Sequence, residues 1–453
     1  MILKNSFWRQ CFRVCVILIA LCRCAFAQAS ADFDVGLVNS QFSAEIVAAG
    51  SLTATEPDGT KTLIEKGKYF VSVNQDGKIS LADQQLSSGT VLAYAESEDK
   101  DSEVTGGDHG HKYFTVNRQD YRGVLKLYVT GEGKSLTIVN QVPLEYYVNS
   151  VLGPKSSPIW PDEAIKAQAI AVRSLAWYYT QYPESELFSV RAVNPETFYG
   201  GIRNENKNIT EVAAKTAGQV LYYNGKPAMT YSCESSGGMT VGSLEALGKA
   251  IPYLQPVEDY DGDCPNATWE KRIPVATISR ILEQNGHKIG RLRSYRLSDS
   301  SKPSTRDRHP SGRVKLIYWQ GETGSVTMDG KEFADMLALS STCFDAFIVD
   351  PVPDKLDVPI ENGYGIEIGK KEIPIEIKGR EKSSWQSAIP GFHFLNGTKD
   401  ETVLFKGKGT GSGMGLSKWG AKGMADNAPE QSADYYKTIL QHYYPGTYLV
   451  SVY

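Results

Sequence analysis

Val142–Tyr179 reads VPLEYYVNSVLGPKSSPIWPDEAIKAQAIAVRSLAWYY. A polar, proline-flanked loop runs straight into a helix with strong start signals. Pro161 suits a first helical position, and Asp162 and Glu163 put negative charge where the backbone N–H groups of the first turn point outward. The spacing predicts a helix over Pro161–Tyr179. The loop before it is the place to look for chemistry.

On a helical wheel Glu163, Lys166, Arg173 and Ser174 fall on one stripe, and Ala164, Ile165, Ala171, Val172, Leu175 and Ala176 cover the rest. Such a helix is mostly buried, and its alanines let other elements approach its backbone. Charged residues on a helix ordinarily make a solvated face, which is the plain expectation for Lys166 and Arg173. Gln168 projects from the apolar side, where a buried amide needs partners. It either braces the preceding loop or reaches a substrate.

The runs LEYYVNSVLG and WPDEAIKAQAIAVRS resemble the signature of the stage II sporulation protein D and amidase enhancer (LytB) family, roughly V-x-L-E-E-Y-L-x-G-V-V-x-x-E-M-P-x-x-W-P-x-E-A-L-K-A-Q-A-x-A-x-R-T. The match runs without a gap from Val142 to Ser174. Members of the sporulation type cleave peptidoglycan glycan strands as lytic transglycosylases, with the glutamate of E-M-P as the acid. In the same register this chain has Gly153-Pro154-Lys155-Ser156-Ser157, so Lys155 stands at the acid position.

The resemblance continues downstream. Ser235-Ser236-Gly237-Gly238-Met239-Thr240 is similar to the family's S-S-G-G-x-T, and Pro252-Tyr253-Leu254 and Trp269 follow. Ser311-Gly312-Arg313-Val314 is similar to S-G-R-V, and Ala334 replaces a family arginine. Gly407–Ala425 resembles G-R-G-x-G-H-G-x-G-M-S-Q-W-G-A-x-x-M-A, with Ser412 in place of His and Lys418 in place of Gln. Glycines at every second position fit neither a Walker loop nor a dinucleotide fingerprint. They suit close backbone packing, expected to bring Ser417 and Trp419 near the Val142–Tyr179 loop.

Around this frame the chain reads as strands and turns. Ala29 to Arg122 is a β-rich leader, with Pro57-Asp58-Gly59 and Asp76-Gly77 as turns. Tyr121–Val142 is a hairpin turning at Gly131-Glu132-Gly133. Gln219–Tyr223 and Ala228–Ser232 pair across Asn224-Gly225. Val275–Asn285 is a helix, Ser298–Pro310 a polar surface loop, and Ser311–Phe344 strand, turn, strand and short helix. Asp350–Pro359 is linker-like. The expected class is α+β, strand-rich and mostly antiparallel, with a buried alanine-rich central helix, and the family-like domain occupies 121–453 after a 28–120 leader.

Met1–Ala27 reads as an export signal: Lys4, Arg9 and Arg13 precede the apolar run Val14–Leu21, and Ala25-Phe26-Ala27 offers a cleavage site. Its removal leaves 44 Lys+Arg against 52 Asp+Glu, a formal charge of −8, and nothing in that balance suggests nucleic acid, which would call for a basic face. The expected address is outside the cell membrane, in the wall or periplasm. Cys233, Cys264 and Cys343 remain. The first two either pair as a disulfide or stay free thiols, and no His at ligand spacing supports zinc. Asp108, His109 and His111 in a glycine-rich acidic stretch read as a solvated loop. No metal or cofactor is expected.

Hydroxyls and backbone N–H groups on a tight turn suit sugar hydroxyls. The candidate substrate-binding set is therefore Gln168, Arg173, Ser236, Gly237, Gly238, Thr240, Ser417 and Trp419. Trp419 would stack on a sugar face or belong to the core. A glycosidic acid needs a proton it can release, and lysine at its ordinary pKa of about 10.4 holds one too firmly near neutral pH. Three readings follow. In one, a catalytically impaired relative binds peptidoglycan glycan strands or assists a wall amidase. In another, an active lytic transglycosylase uses Glu145, Glu163 or Glu234. In the third, a structural envelope protein binds a protein partner.

Overall fold

Strand Val124–Thr130 and strand Ser135–Pro143 form the hairpin, paired from Val124↔Gln141 to Thr130↔Ser135. Gly131, Glu132 and Gly133 all take positive φ at its turn, a conformation in which glycine is cheap. Ser135–Pro143 is covered on both faces, burying every residue from Leu136 to Asn140 and then Val142. The computed structural model describes residues 31–95, 113–194, 198–301, 305–349, 355–362, 367–374, 391–395, 397, 401–429, 432 and 434–453. The export-signal reading and the Asp108, His109 and His111 reading lie outside them.

The chain divides into two units, Met1–Thr230 with Thr447–Tyr453, and Tyr231–Gly446. In the first, the hairpin is central to a seven-stranded sheet. Asp32–Gln41 pairs antiparallel with its second strand, and Thr90–Tyr94 with its first. A six-stranded antiparallel sheet, which includes Ser43–Ala48 and Gly67–Val73, completes the β structure of the leader. Helix α1 (Leu144–Leu152) follows the hairpin directly, and helix α2 (Asp162–Gln181) follows the loop. Both pack Leu144, Tyr147, Val148, Ile165, Ala169 and Val172 into the core formed with Phe33, Leu125 and Ile138. The predicted helix is present, with Pro161 as its N-cap residue at φ −55°, ψ 139°.

Asn224 and Gly225 both have positive φ, as a tight hairpin turn requires. The return strand is shorter than expected: Lys226–Pro227 pairs with Tyr222–Tyr223, and although the Ala228 N–H still donates to the Leu221 carbonyl at 2.9 Å, the Leu221 N–H turns to the Ser174 hydroxyl at 2.7 Å and the ladder stops. The other side of Gln219–Tyr223 is covered by Tyr448–Ser451.

The second unit has a three-stranded antiparallel sheet in the order Thr268–Pro274, Thr402–Lys408, Phe344–Val349. A four-stranded sheet carries Ser325–Asp329, Leu316–Gly321, Leu292–Arg296 and Phe392–Phe394. Trp319, Phe333, Phe344 and Phe405 fill its core, joined by Ala334, so the family arginine position is apolar and buried in this chain. Helices Val275–Gln284 and Gly330–Met336 lie where the sequence places them. The architecture is strand-rich, mostly antiparallel α+β.

The polar segment near Pro310 corrects one expectation. Arg308 is buried, with its guanidinium bonded to Asp345 at 2.6 Å and to the carbonyls of Gly312 and Phe344 at 2.7 and 3.0 Å. A surface reading fails there because four acceptors, the Ser298 carbonyl included, converge on the guanidinium inside the fold.

Candidate functional site

The loop after α1 begins with a single 3-10 turn, Gly153–Lys155, and then extends at Ser156. Lys155 is half-buried at the end of that turn, and Pro158 and Ile159 are exposed. The Trp160 N–H donates to the Ser157 carbonyl at 3.1 Å, drawing the loop back toward the start of α2.

Arg173 does not lie on a solvated face, and its side chain has no exposed surface. Its Nε and Nη2 donate to the two carboxylate oxygens of Glu145 at 2.7 and 2.8 Å, and Nη1 donates to the Gln219 carbonyl at 3.2 Å. Glu145 also accepts the Gly218 N–H at 3.2 Å and the Tyr453 hydroxyl. Burial alone would push the Glu145 carboxyl up. The bonds and charge of Arg173, with Tyr453 and Gly218, outweigh it and hold the carboxyl below its ordinary value of 4.5. Arg173 is therefore an internal brace between α1 and α2 and is out of reach of a glycan. Glu145 is ionised and fully engaged, which is the wrong state for an acid.

Ser174, on the same stripe, is also buried, donating to the Ile170 carbonyl and accepting the Leu221 N–H. Glu163 pairs with Lys166 at 2.5 Å within the first turns of α2. Gln168 is 3% exposed, and neither its Oε1 nor its Nε2 meets a hydrogen-bonding partner among the described residues. A buried amide in that state retains unmet hydrogen-bonding capacity.

In the second unit the two glycine-rich motifs come together. Ser235 bridges Thr410, Val241 bridges Met414, and Ser232-Cys233 runs parallel to Leu416-Ser417. The partner the structure shows for the glycine block is thus the Ser235–Gly238 turn. Two buried aspartates that the sequence reading passed over, Asp259 and Asp261, organise that turn. Asp259 accepts the Ser236 hydroxyl at 2.5 Å and the Tyr443 hydroxyl at 2.6 Å, while Asp261 accepts the Ser235 hydroxyl at 2.5 Å and the Gly237 N–H at 2.8 Å. Burial pushes the Asp259 carboxyl up, and the hydroxyls of Ser236, Tyr443 and Ser417 pull against that rise. The Asp-x-Asp spacing of Asp259-Tyr260-Asp261 was the available signal. Only the tertiary structure shows what it binds.

These bonds correct the roles read for three hydroxyls. Ser236 is buried on Asp259, and Thr240 is buried and accepts the Val257 N–H at 2.8 Å. Ser417 is buried as the N-cap of helix α3 (Lys418–Asp426), accepting the Gly420 N–H at 3.1 Å. A side chain that satisfies its own backbone in this way has no surface to offer a sugar. Gly238 remains exposed and Gly237 and Trp419 half-buried. The Trp419 indole N–H donates to Glu234 at 3.0 Å, and Lys418 Nζ meets the other Glu234 oxygen at 2.6 Å. Lys418, which replaces the family Gln, thus gives Glu234 a cation. Cys233, Cys264 and Cys343 are free thiols, the first two buried. Among the described residues no three His, Cys, Asp or Glu side chains converge as a metal site requires.

A buried Arg–Glu brace behind a proline-flanked loop, between a hairpin and an alanine-rich helix, is the frame on which the comparisons fall. Residues 132–223 match the family model described as stage II sporulation protein. In that segment the chain is similar to the stage II sporulation protein D and amidase enhancer family. Its similarity to an uncharacterized protein of Brachyspira hyodysenteriae is 26% identity over 74% of each chain. It is similar to the amidase enhancer of Bacillus subtilis at 28% identity, over 64% of this chain and 38% of that protein. It is also similar to the stage II sporulation protein D of Bacillus subtilis at 23% identity, over 68% of this chain and 75% of that protein.

Proposed function

We propose that this is an exported cell-wall protein that binds peptidoglycan glycan strands and enhances a wall amidase without cleaving the strands itself. The observation that carries the reading is Lys155, standing at the family's acid position between the matching Leu144-Glu145 and Trp160-Pro161 stretches, with Ser156 and Ser157 replacing the Met and Pro that follow that acid. The surroundings support it. Glu145 is held ionised by Arg173, and Glu163 is engaged by Lys166 at the positive end of α2. The name of the amidase enhancer relative supports the link to an amidase, and the Met1–Ala27 pattern supports export.

The test is incubation with glycan strands, with and without stem peptides, followed by mass analysis for anhydro-muramic ends and by co-sedimentation for binding. The natural protein is expected to sediment with the strands and to leave no anhydro ends, whereas Lys155→Glu produces them. Addition of the natural protein to a wall amidase should raise the rate of stem-peptide release. Anhydro ends from the natural protein would overturn the reading in favour of an active lytic transglycosylase. Alanine at Glu145, Glu163 and Glu234 in turn would then locate its acid.

A further inference from the structure

The solvent face of the three-stranded sheet in the second unit floors a groove of about 550 Å³. Strand pairing sets its chemistry, because residues directly opposite one another share a face. One row across the sheet is Glu270, Lys406 and Asp345, and the next begins with Thr268 and Lys408. Phe347, 46% exposed and on the same face, supplies an apolar wall, and Ser311-Gly312 borders the far side.

Most of the charge in this groove is already matched. Lys406 pairs with Glu270 at 2.5 Å. Asp345 is occupied by Arg308 at 2.6 Å and by the Ser300 N–H and hydroxyl at 3.0 and 2.5 Å. Lys408 differs. It is exposed, its cross-strand neighbour is a threonine, and it has no ion pair among the described residues. Its backbone is fixed on both sides, the N–H to the Cys343 carbonyl at 2.8 Å and the carbonyl to the Ser341 hydroxyl at 2.6 Å. Its Cβ packs against Gly237, where an added Cβ would lie 2.9 Å away and where φ is +83°. Lys408 therefore lines, from a strand fixed on both sides, a groove that also carries the aromatic ring of Phe347.

We propose that this groove is a carboxylate-reading subsite for the glycan strand, with Lys408 meeting the carboxylate and Phe347 lying against the apolar face of the adjoining sugar. The inference rests on the glycan-strand reading above. It adds a recognition element for the acidic substituent, which a strand carries as the lactyl carboxylate of bare muramic acid or as a carboxylate of an attached stem peptide. An unmatched ammonium beside neutral and already paired neighbours selects an anionic group over a neutral sugar.

The experiment measures binding of the purified protein to three probes: strands stripped of stem peptides, strands bearing them, and chitin oligosaccharides, which keep the sugar backbone but lack carboxylates. Lys408→Gln is expected to weaken binding of acidic strands about five- to tenfold. Lys408→Arg should restore most of it. Chitin should bind weakly to begin with and ignore the substitution. Lys331→Gln removes a charge from an exposed lysine paired with Asp335, and it should leave binding unchanged; an equal loss there would reveal only general charge attraction and overturn the proposal. Lys408 sensitivity with stripped strands identifies the lactyl group, and sensitivity confined to peptide-bearing strands identifies the peptide; either supports the carboxylate subsite. Strands that bind equally well to Lys408→Gln, or chitin bound as tightly as acidic strands, would overturn the subsite and leave the glycan reading standing. Failure of every probe to bind would remove both.

Discussion

Arg173→Ala is expected to destabilise the first unit by about 3–5 kcal/mol, because it leaves the Glu145 carboxylate half-buried without its cation. The pair itself contributes little net stability, since burying two charges costs nearly as much as their attraction returns. Removing one partner is different. Gly218 and Tyr453 would still approach Glu145, but neither carries a compensating charge, and the Gln219 carbonyl would lose its donor. The measurement is hydrogen exchange of the α2 amides, whose protection should fall by about two to three and a half powers of ten if they exchange through opening of this unit. The acid response should change as well. The folded-state pKa of Glu145 lies below its ordinary 4.5. The pair's stabilisation is therefore fully present above about pH 4.5 and is lost as the pH falls through the folded value. In Arg173→Ala this part of the acid sensitivity should disappear. Unchanged α2 protection would mean that the loop frame does not depend on the brace.

The second large effect concerns Gly420, inside helix α3. Alanine normally improves a helix interior over glycine by about 1 kcal/mol. Here the sign should reverse. An added Cβ would lie 1.7 Å from Asp259 Oδ1 and 2.1 Å from the Tyr443 hydroxyl oxygen, two atoms bonded to each other at 2.6 Å in the interior. Either α3 shifts or the Asp259 carboxylate leaves its hydroxyl partners, and overpacking with loss of a buried charged hydrogen bond costs about 3 kcal/mol or more. Gly420→Ala should therefore lower the urea midpoint of the second unit. Gly262→Ala, in the same aspartate segment but with no atom within 4 Å of the added Cβ, should leave it in place. A more stable Gly420→Ala protein would show that Asp259 is free to move and does not fix the Ser235–Gly238 turn.

Local chemistry made much of this protein legible. Pro161, Asp162 and Glu163 mark a helix start in any context, and an alanine-rich run carrying few polar residues has to be buried. Gly131-Glu132-Gly133 and Asn224-Gly225 specify turns by their φ requirements alone. The ungapped motif from Val142 to Ser174 placed the chain beside its relatives and exposed Lys155 as the departure, with no structure needed.

The tertiary structure decided which neighbour covers each face. Helical spacing put Arg173 on a polar stripe. It could not reveal that Glu145, on the preceding helix, and Gln219 would close over it and turn a solvated face into a buried brace. A serine pattern is compatible with sugar binding, helix capping or a buried carboxylate, and the sequence cannot choose among them because the hydroxyl does the same chemistry in each. Asp259 and Asp261 chose for Ser235 and Ser236, and Gly420 for Ser417. Lys408 became a candidate reader only when strand pairing put a threonine opposite it and a glycine turn beneath it. Turns and helix starts are set by the few residues that form them, so they can be read in order along the chain. Burial and charge pairing depend on residues far apart in sequence, and only the folded chain brings those together.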